Sequence, residues 1–103
     1  MGEEKLLVRK AKKGDVEAFG RLYEEVYKDL YHFALYLLNH AQDAEDIVAE
    51  TVLDAYRSIA NLKKEESFRA WIFKILSNKC RMKRKEYLNK EMEYPNQHES
   101  QGV

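Results

Sequence analysis

Apolar side chains along this chain return every three or four positions, and no stretch alternates with period two. Phe19, Leu22, Tyr23, Val26, Leu30, Phe33, Ala34, Leu37 and Leu38 follow that rhythm, which predicts one face of a helix of about six turns. Start and stop chemistry divides the chain into four helices and no strands. The first is expected over residues 3–13, where Lys10, Lys12 and Lys13 put positive charge at its negative end and Gly14 terminates it. Asp15 caps the second, which ends at Asn39 and His40; residues 27–29 are where a break in it would fall. Asp43 is the expected N-cap of the third, with Glu45 and Asp46 in its first turn. Ser67 caps the fourth, expected to run toward residue 88.

Placed on a wheel at about 100° per residue, the third helix separates two faces. Ala44, Val48, Thr51, Val52, Ala55 and Ile59 form the apolar one. Asp43, Asp46, Glu50, Asp54 and Arg57 share a stripe about 80° wide on the other, with the apolar Leu53 beside it. Acids at i,i+4 repel by a few tenths of a kcal/mol per pair, so the stripe destabilises its own helix unless a partner neutralises it. It reads as a solvated acidic face or as a docking surface for Arg and Lys. On the fourth helix Phe68, Ile72, Ile75, Leu76 and Met82 make the expected core side, opposite Lys74, Ser77, Arg81, Arg84 and Lys85. Trp71 and Asn78 fall at the border. Cations neutralise phosphates, an amide reads base edges and an indole offers a stacking face, so this edge suits DNA with exposed bases. The alternative is that Trp71 and Phe73 pack in the core.

Charge sorting sharpens that contrast. Residues 41–56 hold five carboxylates and no basic side chain, and residues 68–85 hold seven Lys or Arg and no acid, within a formal net charge of zero. Adjacent elements of opposite sign point to a chain that grips a basic protein and a nucleic acid together. The 103 residues, 45% of them hydrophobic, allow one compact core. The expected domain is residues 1–90, and the polar stretch 91–103 reads as a tail or linker. Nothing resembles a signal peptide or a run of ~20 apolar residues. The single cysteine, Cys80, fits a reducing compartment, so a cytoplasmic protein is expected. Cys80 is either a thiol activated by the neighbouring basic run or a small buried hydrophobe. His32, His40 and His98 lack ligand spacing, so no metal is expected. With no phosphate loop and no nucleophile motif, neither a cofactor nor an enzyme is expected. Tyr23, Tyr27, Tyr31 and Tyr36 fit packing and rim positions.

Three segments together resemble a known family. The GD-x-x-AF opening at Gly14, Asp15, Ala18 and Phe19, the DAED-x-V-x-E segment from Asp43 to Glu50, and Ser67, Phe68 and Trp71 with the downstream Asn78 stand in the order and spacing of region 2 of the extracytoplasmic-function sigma factors of bacterial RNA polymerase. The likeness covers about residues 5–86 and implies an all-α, single compact four-helix domain. It implies that the acidic helix docks on the clamp helices of the polymerase beta-prime subunit through Asp46, Glu50, Leu53, Asp54 and Arg57. It implies a loop that captures an extruded base of the non-template minus-ten strand, with Leu62, Lys63, Lys64, Ser67 and Phe68, and a helix carrying Trp71, Lys74, Asn78 and Arg81 along that strand. An anti-sigma protein covering these surfaces is a further partner the family implies.

The chain departs from the family pattern at three places. Ala49 stands where a Gln is common, and Leu62, Lys63 and Lys64 replace a common Phe-Arg-Gly. A second, helix-turn-helix domain for the minus-thirty-five element is not expected after residue 90, which leaves an isolated domain or one half of a split factor. The resulting reading is a transcription initiation domain joining core polymerase to promoter DNA. The alternative is a helical protein-interaction module whose basic helix is only solvated.

Overall fold

The computed structural model describes residues 2–63 and 67–93. In them the chain forms α1 (Gly2–Lys12), α2 (Val16–Leu38), α3 (Ala41–Ser58), a 3₁₀ turn (Ile59–Asn61) and α4 (Phe68–Glu93), with no strand among the described residues. The boundaries follow from local chemistry. Gly14 takes a φ of 100°, a conformation strained for any residue with a Cβ, and its N–H donates to the Ala11 carbonyl at 3.0 Å. Asp15 then opens α2, its carboxylate accepting from the Ala18 N–H at 3.1 Å. α2 runs unbroken through residues 27–29: no glycine or proline follows Gly20 in it, and Tyr27, Lys28 and Asp29 are exposed to water. Asn39 ends it at a φ of 53°, its N–H donating to the Leu35 carbonyl at 2.7 Å.

The cap of α3 is His40, one turn before the expected Asp43. Leaving the left-handed Asn39, the backbone at His40 is extended (φ −155°, ψ 109°), as a cap requires, and its Nδ1 accepts from the Asp43 N–H at 3.2 Å. Asp43 therefore lies inside the first turn. Ser67 does cap α4, its hydroxyl accepting from the Ala70 N–H at 3.0 Å.

α2 packs against each of the other three helices. Leu22, Val26, Leu30 and Leu38 of α2 meet Leu7 and Ala11 of α1, Ala44, Ile47, Val48 and Ala55 of α3, and Ile72, Leu76 and Cys80 of α4 in one buried cluster. Each large side chain so buried contributes about 1.5–3 kcal/mol. Thr51 is fully buried too, and its hydroxyl donates to the Ile47 carbonyl at 2.8 Å, so no polar atom is left without a partner there.

One expected core residue lies outside. Met82 is 67% exposed, because the buried line on α4 steps through Ile72, Leu76 and Cys80 to the half-buried Lys83 and Tyr87. The sevenfold spacing Phe68, Ile75, Met82 drifts about 20° per heptad on a straight helix, and after two heptads it has left the packed face. α4 extends to Glu93, three residues beyond the boundary expected at residue 90, and the rest of the expected tail, residues 94–103, lies outside the described residues. Among the described residues, no helix is long and apolar enough to cross a membrane.

Candidate functional site

α3 and α4 lie side by side, so the two oppositely charged segments share a seam. Asp46, Glu50, Leu53 and Arg57 of α3 are exposed and Asp54 is half-buried; Leu53 keeps 53% of its surface in water. The stripe is not uncompensated, however. Lys79 reaches across from α4, its ammonium 2.6 Å from the Asp54 carboxylate and 3.8 Å from that of Glu50. The Gln42 amide donates to Asp46 at 3.1 Å. Asp43 turns toward the seam, where its carboxylate accepts from the Tyr87 hydroxyl and lies 3.7 Å from the His40 ring. That hydrogen bond, with His40, Lys83 and Lys90 nearby, holds the Asp43 carboxyl below the usual range. Partial burial and the same bond push the Tyr87 phenol up to about 12. The seam thus removes Asp43 from the outward stripe and leaves Asp46, Glu50, Leu53, Asp54 and Arg57 reachable.

The connection from the 3₁₀ turn to α4 is anchored at both ends. Leu62 and Phe68, expected on the capture surface, have fully buried side chains, whereas Lys63 and Ser67 are exposed; Lys64 lies outside the described residues. Phe68 packs edge-on against Phe19 at 5.8 Å, which in turn meets the half-exposed Tyr56 at 5.2 Å. Two side chains of α1 hold the backbone here. The Lys12 ammonium donates to the Leu62 carbonyl, and Glu4 accepts from the Phe68 N–H at 3.0 Å.

Of the two readings of Trp71, packing prevails. Only 9% of it is exposed, and its ring tilts against Phe68 at a centroid distance of 6.0 Å. Lys74, Asn78 and Arg81 remain exposed on one line of α4, and the Arg81 guanidinium donates to the Asn78 carbonyl oxygen at 2.5 Å. That line lies roughly 100–160° around α4 from Lys79, so the ridge and the seam do not compete for side chains. Arg69 fixes the start of the ridge to α2 through Asp29 at 2.7 Å and sits 5.0 Å from the centre of the Phe73 ring.

The remaining candidates are quieter. Cys80 is fully buried and desolvation pushes its thiol pKa up, so it is a core side chain and not an activated nucleophile. Tyr23, Tyr27 and Tyr31 line an open groove of about 350 Å³ with Glu45, Val48 and Ala49 of α3. No cluster of three or more His, Cys, Asp or Glu side chains able to hold a metal occurs among the described residues. The contacts of Glu4, Lys79 and Tyr87 are not marked in the sequence, and Lys12 is marked there only as charge at the end of its own helix. For Lys79 the sorted charge was a usable signal, since a basic helix packed beside an acidic one must place some cation at the seam. For the other three no local pattern marks the contact.

Comparison with known proteins adds a separate line. A family model described as sigma-70 region 2 matches residues 22–87. The chain is 36% identical over 81 residues to a probable RNA polymerase sigma factor of Haemophilus influenzae, covering 75% of this chain and 42% of that protein. It is 36% identical over 73 residues to the ECF RNA polymerase sigma factor BldN of Streptomyces coelicolor, covering 70% and 28%. To the ECF RNA polymerase sigma factor SigW of Bacillus subtilis it is 32% identical over 72 residues, covering 69% and 38%. The chain thus spans less than half the length of these relatives. Among solved structures, CnrH in complex with the cytosolic domain of CnrY superposes with a TM-score of 0.72 at 29% identity, covering 77% of this chain and 51% of that one. An engineered region 2 of sigmaE in complex with GTAAAA, solved by NMR, gives 0.70 at 25% identity, covering 85% and 87%.

Proposed function

Because the chain belongs to the sigma-70 region 2 family, in its extracytoplasmic-function branch, we propose that it joins core RNA polymerase to promoter DNA in the cytoplasm at the start of transcription. The observation that carries this reading is the placement of two accessible, oppositely charged edges on neighbouring helices. Asp46, Glu50, Asp54, Arg57 and the apolar Leu53 face one way from α3, and Lys74, Asn78 and Arg81 form a separate ridge on α4. One domain can therefore hold a basic protein surface and a nucleic-acid strand at once.

On α3 the acids meet Arg and Lys of the beta-prime clamp helices, where complementary charge chiefly sets on-rate and partner choice, and Leu53 supplies an apolar anchor. On α4, Lys74 and Arg81 neutralise phosphates of the non-template minus-ten strand while the Asn78 amide reads a base edge. Lys63, Lys64 and Ser67 receive the base drawn out of the stack. Leu62, Phe68 and Trp71 anchor the described flanks, Lys63 and Ser67, from within the core. Extruding a base costs a few kcal/mol, and preferential contact with the open strand offsets it, shifting the population toward melted promoter. No bond is made or broken in this scheme. The likeness to a region 2 solved with GTAAAA supports the strand assignment, and the likeness to CnrH solved with CnrY supports a further protein partner of the anti-sigma kind.

Fluorescence anisotropy with minus-ten-like single strands tests the reading. Binding that prefers the non-template strand, weakens with salt, and falls when Asn78 or Arg81 becomes Ala is expected. A second reading, a protein-interaction module, draws on the burial of Trp71 and Phe68, which leaves the ridge without an open aromatic face. Equal and feeble binding to every strand would favour it.

A further inference from the structure

α1 holds the backbone on both flanks of the connection between the 3₁₀ turn and α4. Glu4, near its start, accepts from the Phe68 N–H at 3.0 Å across 64 residues of sequence, and Lys12, its last residue, donates to the Leu62 carbonyl across 50. The two bonds are matched in sign to what they hold. The Phe68 N–H belongs to the first turn of α4, where the helix gathers partial positive charge, and a carboxylate suits it. The Leu62 carbonyl follows a 3₁₀ turn and takes the ammonium. Eight residues of helix separate Glu4 from Lys12, a rigid spacing of about 12 Å. The side chains of Leu62 and Phe68 are sunk in the core at the same two points, so each flank is fixed by one apolar and one polar attachment.

We infer that Glu4 and Lys12 are positioning residues for recognition of the promoter strand: α1 acts as a gauge that fixes where and in which direction Lys63 and Ser67 leave the core. The inference rests on the reading of this connection and α4 as the minus-ten surface. Neither residue touches DNA in this scheme. Their effect falls on selectivity between bases, which depends on the aim of the flanks, and not on the charge that attracts the strand.

The test uses the whole chain, a fluorescent minus-ten-like single strand, and the same strand with each base replaced in turn. Lys12→Met and Glu4→Ala remove the two bonds; Lys12→Arg and Glu4→Gln keep a donor and an acceptor. The unaltered protein is expected to discriminate by about tenfold at its preferred position. Each disruptive substitution lowers that ratio at least fivefold and leaves the salt dependence of binding unchanged, because no phosphate contact is lost. The conservative substitutions return most of the ratio. Melting curves establish that each variant is folded at the assay temperature, and if Glu4→Ala is not, the two Lys12 variants decide the matter. Full selectivity in folded Lys12→Met overturns the inference while leaving the promoter reading intact. An unaltered chain with no base preference removes both.

Discussion

Reversing the charge at Asp54 and at Asp46 separates a folding contact from a docking contact. Asp54 lies 2.6 Å from the Lys79 ammonium, with Glu50 also within 3.8 Å of it, and all three side chains are partly in water. Such a pair contributes about 0.2–1 kcal/mol. In Asp54→Lys it is lost and replaced by two ammonium groups at roughly 4 Å, which repel by about 1 kcal/mol in water. The i,i+4 repulsion between Glu50 and residue 54 becomes an attraction and returns about 0.3–0.5 kcal/mol. The net loss is about 1 kcal/mol, a fall of about 4–8 °C in the melting temperature of a domain this size. Among the described residues Asp46 has only an exposed hydrogen bond from Gln42, so Asp46→Lys is expected to move stability by less than about 0.5 kcal/mol. Both variants should lose retention on immobilised core polymerase by tenfold or more. Pairing Asp54→Lys with Lys79→Glu restores the seam, and the melting temperature should recover while polymerase binding does not. The reasoning is refuted if Asp54→Lys melts like the parent, or if the swapped pair regains polymerase along with its stability.

Other outcomes follow from single features. Arg81→Ala should flatten the dependence of log affinity on log salt by about 0.7 for a single strand, the signature of one lost phosphate contact, with melting nearly unchanged. Phe68→Ala empties the site shared with Phe19 and Trp71 and should lower stability by about 3–5 kcal/mol in chemical denaturation, enough to unfold much of a domain whose total is about 5–15. Cys80 should react with a thiol reagent only as fast as the core opens, and at full rate in denaturant. Spectrophotometric titration should find a phenol ionising near 12 that moves part of the way back toward the ordinary range in Asp43→Asn, because burial, the larger cause, remains. Since the folded state raises this pKa, its stabilising contribution is complete below about pH 10 and lost as pH rises through about 12; Asp43, whose pKa is lowered, contributes above the ordinary carboxylate range and ceases to do so in acid.

Helix ends were legible because their chemistry is local. Gly14, Asp15, Asn39 and Ser67 each act within four residues, and each stands where its residue type predicts. The α3 cap slipped by three positions because both His40 and Asp43 offer an acceptor, and only the backbone turn at Asn39 selects between them. Met82 was misplaced because a wheel carries no information on which side of a drifting stripe a neighbour sits. The candidate site was legible as to which helices carry it and obscure as to which atoms do. Lys79, Glu4, Lys12 and Tyr87 act across 25 to 64 residues, 79 to 54 at the near end and 68 to 4 at the far end, and side-chain spacing along one helix cannot report such meetings. Trp71 illustrates the same limit from the other side: its position on the border of two faces is consistent with either environment, and the tilt against Phe68 decides it.

The zero net charge of the chain, divided between neighbouring rods, leaves no monopole for a distant polyanion to pull on, only a dipole for it to turn. At physiological ionic strength screening confines that torque to about 8 Å, so the domain would align only in the last step of an encounter. Orientation rather than attraction then becomes what its electrostatics control. Adding cations indiscriminately would speed collisions with DNA while blurring which side arrives first.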